Sequence, residues 1–231
     1  MAYLPELSPK PFETFCGALL VRFVPGNLLE EDQVQNPEML RRIAETLKEC
    51  HAVPIDERVG TFCVFRSIRE NPRQARASAR PRCRPTSATR WLICSASRPN
   101  WPRRSRSVFA TMISLAGNFV DDGTTLRIID WEFGGRGNRF FDLGNVAAGL
   151  QMTDAQERAF LHTYFGEMRL EDLRRMKRMR IASDFREASW GYLQAAISKL
   201  HSPQYYLDYG RRHLDRCLAA ARTMRLGHSQ F

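Results

Sequence analysis

Fifty consecutive residues, Asn71 to Val120, hold ten arginines and no Asp or Glu. Within it, Pro72 to Ser107 cannot bury much apolar surface, because its like charges repel and Ser, Pro and Arg dominate it. It also carries the whole formal charge of the chain: of 35 Lys+Arg, the other 25 balance the 25 Asp+Glu, so the net +10 is local. Ten positive charges spread over a whole chain would point to a nucleic-acid or anionic-membrane partner. A neutral protein interrupted by one basic insert does not. From Pro72 to Ser107 neither helical nor strand period is visible, and residues 70–114 are expected to be disordered between two ordered flanks.

Those flanks can fold. The chain has 231 residues, 43% of them hydrophobic, enough to bury a core. It contains no apolar run of membrane-spanning length and begins without a signal-peptide pattern, so the expectation is a cytoplasmic protein with no membrane span. Cys16, Cys50, Cys63, Cys83, Cys94 and Cys217 form no C-x-x-C pair and have no His at metal spacing. They read as reduced, buried thiols rather than a disulfide frame or a zinc site. No residue pattern specifies an oligomeric state.

In the first flank, Gly17 to Val24 is an apolar run stopped by Pro25-Gly26, a buried strand ending in a turn. Asn36-Pro37-Glu38 then supplies an N-cap, a proline at the first helical position and an early acid. Met39, Leu40, Ile43, Ala44 and Leu47 fall on one face of the helix that follows, which is expected to end near His51. Gly60 to Phe65 reads as a further apolar strand.

The second flank starts with a stronger pattern. Asn118 to Asp130 is a strand, an Asp122-Gly123 turn and a second strand that delivers Asp130 at its end. Trp131 to Arg139 is rich in glycine and reads as a loop, leading into a helix around Asp142. The remainder is helical: a capping box at Thr153 to Gln156, a long helix around Met179 to Leu200 that carries Trp190, and a last helix capped by Ser202-Pro203. His162, His201 and His213 show no partner pattern.

A carboxamide at the start of one strand and a carboxylate at the end of its hairpin partner can converge on one Mg²⁺, leaving other positions for phosphate and water. In this setting Asn118, Asp130-Trp131-Glu132 and Phe141-Asp142-Leu143-Gly144-Asn145 resemble the aminoglycoside phosphotransferase (APH) and choline/ethanolamine kinase superfamily. Ser183 to Gln194 resembles the choline-kinase-like bacterial branch, and Leu20 to Gly26 with the following helix resembles that family's hinge between lobes. The resemblance covers residues near 15–68 and 115–222.

The resemblance implies an α+β, protein-kinase-like fold, mainly the helical C-lobe with a β-hairpin at the catalytic loop. Residues 1–26 correspond to a remnant of the N-lobe and the hinge, and 27–231 to the C-terminal phosphotransferase lobe. Fewer than twenty residues precede the hinge, leaving no room for a full N-lobe. It further implies ATP as co-substrate, Mg²⁺ held by Asn118 and Asp130, and Asp142 as the buried acid bracing the catalytic loop. Arg22, Phe23 and Val24 would lie at the nucleotide hinge, and Trp190 and Glu132 at the substrate. The favoured substrate is choline or ethanolamine, because an aromatic face attracts a trimethylammonium group. The alternatives are an aminoglycoside or other small-molecule kinase, or a non-catalytic remnant whose basic segment binds nucleic acid or an acidic surface. A nucleic-acid partner is disfavoured, since the segment lacks aromatic interleaving.

The family's catalytic loop has the form His-x-Asp-x-x-x-x-Asn. Here Thr111 stands at the His position and Ile113 at the Asp position. An Ile cannot accept a proton, so the exact chain is expected to be impaired or inactive. Codons for Ala110 to Ser114 read one base out of frame force an Asp and allow His-Asn-Asp-Leu, the family motif. Residues 70–114 therefore read as out-of-frame text, which also accounts for their acid-free composition.

Overall fold

The computed structural model describes residues 11–15, 18–30, 33, 36–55, 57, 59–77, 107–111 and 116–228. In chain order the elements are β1 (Pro11–Phe15), β2 (Ala18–Val21), β3 (Asn27–Leu28), α1 (Pro37–Ala52), α2 (Val64–Ala77), β4 (Ser107–Ala110), β5 (Phe119–Asp121), β6 (Leu126–Ile128), β7 (Gly135–Asn138), α3 (Arg139–Gly149), α4 (Asp154–Phe165), α5 (Leu170–Ile197) and α6 (Pro203–His228). They form two compact units, one of Met1–Phe62 with Ser105–Lys177, the other of Cys63–Arg104 with Arg178–Phe231.

In the first unit, α1 begins as its sequence dictates. Asn36 caps it by accepting from the Glu38 N–H at 2.9 Å, and Pro37 occupies the first turn. Leu40, Ile43, Ala44 and Leu47 are buried, and the helix packs on α4, β4 and β6. Arg42 on the flank of α1 donates two parallel hydrogen bonds to Asp121 at the end of β5, both 2.7 Å. That bidentate pair, sheltered on both sides, fixes the helix to the hairpin and holds the Asp121 carboxyl below the usual carboxylate range. The hairpin forms as predicted: β3, β5 and β6 make an antiparallel sheet in that order, with Phe119 opposite Ile128. Asp122 Oδ1 closes the turn by accepting from the backbone N–H groups of Thr124 and Thr125.

Three expectations change in this unit. β1 pairs with β2, but the strand stops at Val21 and Phe23 is 84% exposed rather than buried. An eight-residue apolar run interrupted by Arg22 is too short to specify burial along its whole length. The glycine-rich loop is instead strand β7, antiparallel to β4 with Gly135 opposite Ala110. Gly135 is required there by close approach, because a Cβ would lie 2.8 Å from the Gly60 carbonyl oxygen. The strand expected at Gly60 to Phe65 reduces to one parallel bridge, Thr61 to Arg136, and a helix takes over at Val64.

That helix, α2, belongs to the second unit and runs through Pro72 to Ala77, into the stretch where no period was visible. Its burial rests on Val64 and Ile68, one turn apart and ahead of the proline, so beyond Asn71 nothing apolar marks a face. Residues 78–106 and 112–115 of the basic segment lie outside the described residues. The core of this unit comes from Met179, Ala182, Phe185, Ala188 and Leu193 with Tyr206 and Cys217. There α5 and α6 meet at glycines: a Cβ on Gly191 would sit 2.9 Å from the Gly210 nitrogen. Helix α5 starts at Leu170, earlier than expected, because its first turns bury only Leu173 and Met176 among polar residues. His213 does have a partner, the buried Asp184, which it meets through Nδ1 at 2.9 Å beside Arg216 at 2.7 Å. The pair joins α5 to α6 across 29 positions, a separation that no local pattern reveals.

Cys50 and Cys217 are buried free thiols, and burial pushes both up, Cys217 to about 12. Cys63 is a half-buried free thiol, while Cys16, Cys83 and Cys94 lie outside the described residues. Among the described residues, no helix is long and apolar enough to cross a membrane.

Candidate functional site

The hairpin brings Asn118 and Asp130 to neighbouring rungs. Asn118 closes a short 3₁₀ turn before β5, and its carbonyl accepts from the Ile129 N–H at 2.9 Å, extending the ladder to the residue next to Asp130. Asp130 sits at φ +62°, in the left-handed region that Asp tolerates better than most side chains. Its neighbours hold it there. Trp131 donates from Nε1 to the Ile128 carbonyl at 2.8 Å and stacks on Phe109, and the Gly134 N–H closes a turn onto the Trp131 carbonyl. Asp130 is exposed and Asn118 half-buried, and neither side chain has a protein hydrogen bond or ion pair among the described residues.

A carboxylate and a carboxamide on neighbouring rungs suit a hard divalent cation that keeps most of its shell for phosphate and water. Among the described residues, no three His, Cys, Asp or Glu side chains converge as an all-protein cage. The donor set therefore fits Mg²⁺ shared with a phosphate rather than a closed metal centre.

Behind the hairpin, Asp142 on α3 is completely buried. Its Oδ2 accepts from the Thr111 backbone N–H at 2.6 Å, from Thr111 Oγ at 3.1 Å and from His51 Nε2 at 3.1 Å. With Nε2 donating, His51 Nδ1 is left to accept from the Tyr164 hydroxyl, 2.6 Å away. Burial pushes the Tyr164 phenol up, which keeps it a donor. Four elements, α1, α3, α4 and the end of β4, are thus tied to one carboxylate. His51 and Tyr164 were missed by sequence reading. Their partners lie 91 and 113 positions away in sequence, and the only available hint was a His on the apolar face of α1.

One turn beyond Asp142, Asn145 is also completely buried, and among the described residues neither its amide nitrogen nor its oxygen finds a hydrogen-bond partner. A buried unsatisfied amide is costly, and here it lies on the helix that grips Thr111.

The other predicted residues fall as follows. Thr111 is buried against Asp142, whereas Ile113 lies outside the described residues. Arg22 and Phe23 are exposed and Val24 half-buried. Glu132 is exposed in the turn after Asp130. Trp190 belongs to the second unit, half-buried and edge-on to Tyr206 and Tyr209 at ring separations of 5.9 and 5.6 Å, with the Tyr209 hydroxyl donating to Glu187 at 2.9 Å.

The family model for choline/ethanolamine kinase matches residues 4–163, more than half of the chain. No curated protein sequence matches significantly. Among solved structures, a choline/ethanolamine kinase family protein from Mesorhizobium loti superposes with a TM-score of 0.74 at 19% identity, covering 93% of this chain and 74% of that one. A choline kinase from Cryptosporidium parvum gives 0.78 at 11% identity, with 96% and 75% covered. The GDP complex of aminoglycoside 2'-phosphotransferase-IIIa gives 0.67 at 16% identity, with 94% and 76% covered. At these identities the structural likeness carries the fold, which is the α+β, protein-kinase-like one. By the match over residues 4–163, the chain belongs to the choline/ethanolamine kinase family.

Proposed function

We propose that this chain is the large lobe and hinge of an ATP- and Mg²⁺-dependent kinase acting on a small alcohol, choline or ethanolamine, and that its chemical step is crippled at one position. The observation that carries the reading is the placement of Asn118 and Asp130 at the paired ends of the β5–β6 hairpin, with Asp142 bracing the adjacent catalytic-loop strand. In this reading residues 27–231 are the phosphotransferase lobe, and Arg22, Phe23 and Val24 pass beside the nucleotide. Asn118 and Asp130 would hold Mg²⁺, which when bound neutralises charge on the transferring phosphate. Asp142 fixes the backbone at Thr111 regardless of the side chain there, because its shortest hydrogen bond comes from the main-chain N–H. The scaffold therefore tolerates a wrong residue that the chemistry does not. Ile113 stands where a carboxylate would take the substrate hydroxyl's proton, and loss of such a base costs on the order of 10²–10⁴-fold. Out-of-frame text over residues 70–114 remains our explanation for that residue.

The aromatic setting of Trp190, between Tyr206 and Tyr209 and near Glu187, favours a quaternary ammonium substrate over an aminoglycoside. We take the protein to act in the cytoplasm. The test is ADP release by the full chain with Mg²⁺·ATP and choline, ethanolamine or kanamycin in turn. Slow turnover with choline or ethanolamine, lost in Asp130→Asn, is the expected result. Turnover that prefers kanamycin would overturn the substrate assignment, and Mg²⁺-independent nucleotide binding would overturn the metal site.

A further inference from the structure

Among the described residues, strand β4 pairs with one strand, β7, with Val108 and Ala110 opposite Gly137 and Gly135. Residues two apart present their backbone groups to the same edge of a strand, and at Phe109 and Thr111 side chains stand in for a second strand. The Cys50 thiol donates to the Phe109 carbonyl at 3.6 Å, and the Thr111 N–H donates to Asp142 Oδ2 at 2.6 Å. Cys50 and His51 are adjacent in the last turn of α1. One helix end therefore reaches this edge twice, directly at Phe109 and through Asp142 at Thr111.

The second reach depends on His51. A carboxylate turns easily about its terminal torsion, which has broad minima, yet here Oδ2 takes the Thr111 N–H, the Thr111 hydroxyl and His51 Nε2 together. That convergence requires an imidazole that presents its N–H at Nε2 and keeps its plane. The Tyr164 hydroxyl, 2.6 Å from Nδ1, supplies both conditions: by donating to Nδ1 it leaves the ring proton on Nε2, and it stops the ring from turning. Both side chains are buried, so water does not stand in for either partner. A run of three bonds thus leads from α4 to the backbone of β4, through Tyr164, His51 and Asp142.

We propose that His51 and Tyr164 are positioning residues for the phosphotransfer, orienting Asp142 from α1 and α4 and so fixing the strand edge that leads into the catalytic loop. The inference rests on the proposed function only in taking the residues after Thr111 as that loop. The test is backbone amide exchange followed by NMR in the full chain, comparing Thr111 with Ile128, which pairs with β5. Tyr164→Phe removes one oxygen and keeps the ring; it should speed exchange at Thr111 about tenfold or more and at Ile128 less than about twofold. His51→Leu should do the same. His51→Gln, whose amide nitrogen can stand where Nε2 does, should return Thr111 to within about threefold of the natural chain. Exchange at Thr111 that is unchanged in Tyr164→Phe, or that rises in step with Ile128, would overturn the proposal, because a merely structural contact loosens the unit as a whole. In the chain carrying Thr111→His and Ile113→Asp, Tyr164→Phe should lower kcat about fivefold or more at unchanged KM for choline, and a raised KM with kcat intact would overturn the positioning role. Absence of turnover in that chain would contradict the proposed function, while the exchange measurement decides the role of His51 and Tyr164 by itself.

Discussion

The two halves of the candidate site have fared differently. On the hairpin side Asn118 and Asp130 stand in place, backed by a regular ladder and a stacked Trp131. On the loop side the strand β4 and its brace Asp142 are in place, yet the positions that the proposed function assigns to the chemistry, 111 and 113, hold Thr and Ile. Under the proposed function, the difference teaches that a scaffold can outlast its chemistry. Register and burial depend on backbone hydrogen bonds and on any sufficiently apolar side chains, and Val108, Phe109 and Ala110 satisfy that need. Proton transfer depends on a single functional group, for which no substitute of similar size exists.

That contrast can be pressed by mutation. Asp142 should matter to stability and Asp130 to chemistry. Asp142→Ala strands the Thr111 N–H and one nitrogen of His51 in a dry interior, and should cost on the order of 3 kcal/mol in a denaturant titration. Asp130→Asn, at an exposed position, should change stability by less than about 0.5 kcal/mol in the same titration. Equal losses would erase the distinction between brace and ligand.

In the second unit, Gly191→Ala should cost about 1–3 kcal/mol, because its methyl group would meet α6 backbone rather than a side chain that can turn away. Thermal melts read this directly. A change within error would mean that the two helices separate easily at Gly210.

The Arg42–Asp121 pair gives a pH signature. Its folded carboxyl titrates below its unfolded value, so the pair stabilises fully above about pH 4 and progressively less as pH falls through the folded value. Unfolding measured between about pH 2 and pH 6 should show an acid limb that flattens in Arg42→Met. An unchanged limb would assign the acid sensitivity elsewhere.

The smallest effect concerns Asn145. Replacing its orphaned amide with the similarly sized side chain in Asn145→Leu should be neutral or stabilise by up to about 1 kcal/mol. A loss of stability would show that the amide has a partner after all.

Much of this was legible from local patterns. The α1 cap, the Thr153 capping box and the turn at Asp122 each depend on residues within four positions of one another, and each formed as read. That Asn118 and Asp130 come to neighbouring rungs was legible for the same reason, since a hairpin places the ends of its strands together. What escaped was non-local. Strand β7 looked like a loop because its glycines answer to a close approach by Gly60, and His51 looked like one more residue on an apolar face because Asp142 and Tyr164 reach it only in three dimensions. Helix α2 escaped because its buried residues, Val64 and Ile68, lie ahead of Pro72 and leave the second half of the helix without an apolar face.

The most direct test restores the missing chemistry in the chain as it stands. Choline-dependent ADP release would be compared between the natural sequence and the double variant Thr111→His, Ile113→Asp at saturating Mg²⁺·ATP. A gain on the order of 10²–10⁴-fold is expected if the scaffold is intact and only the base is lost. No gain, or a natural sequence already as active as the double variant, would contradict the claim that this protein keeps a kinase's frame while lacking its proton acceptor.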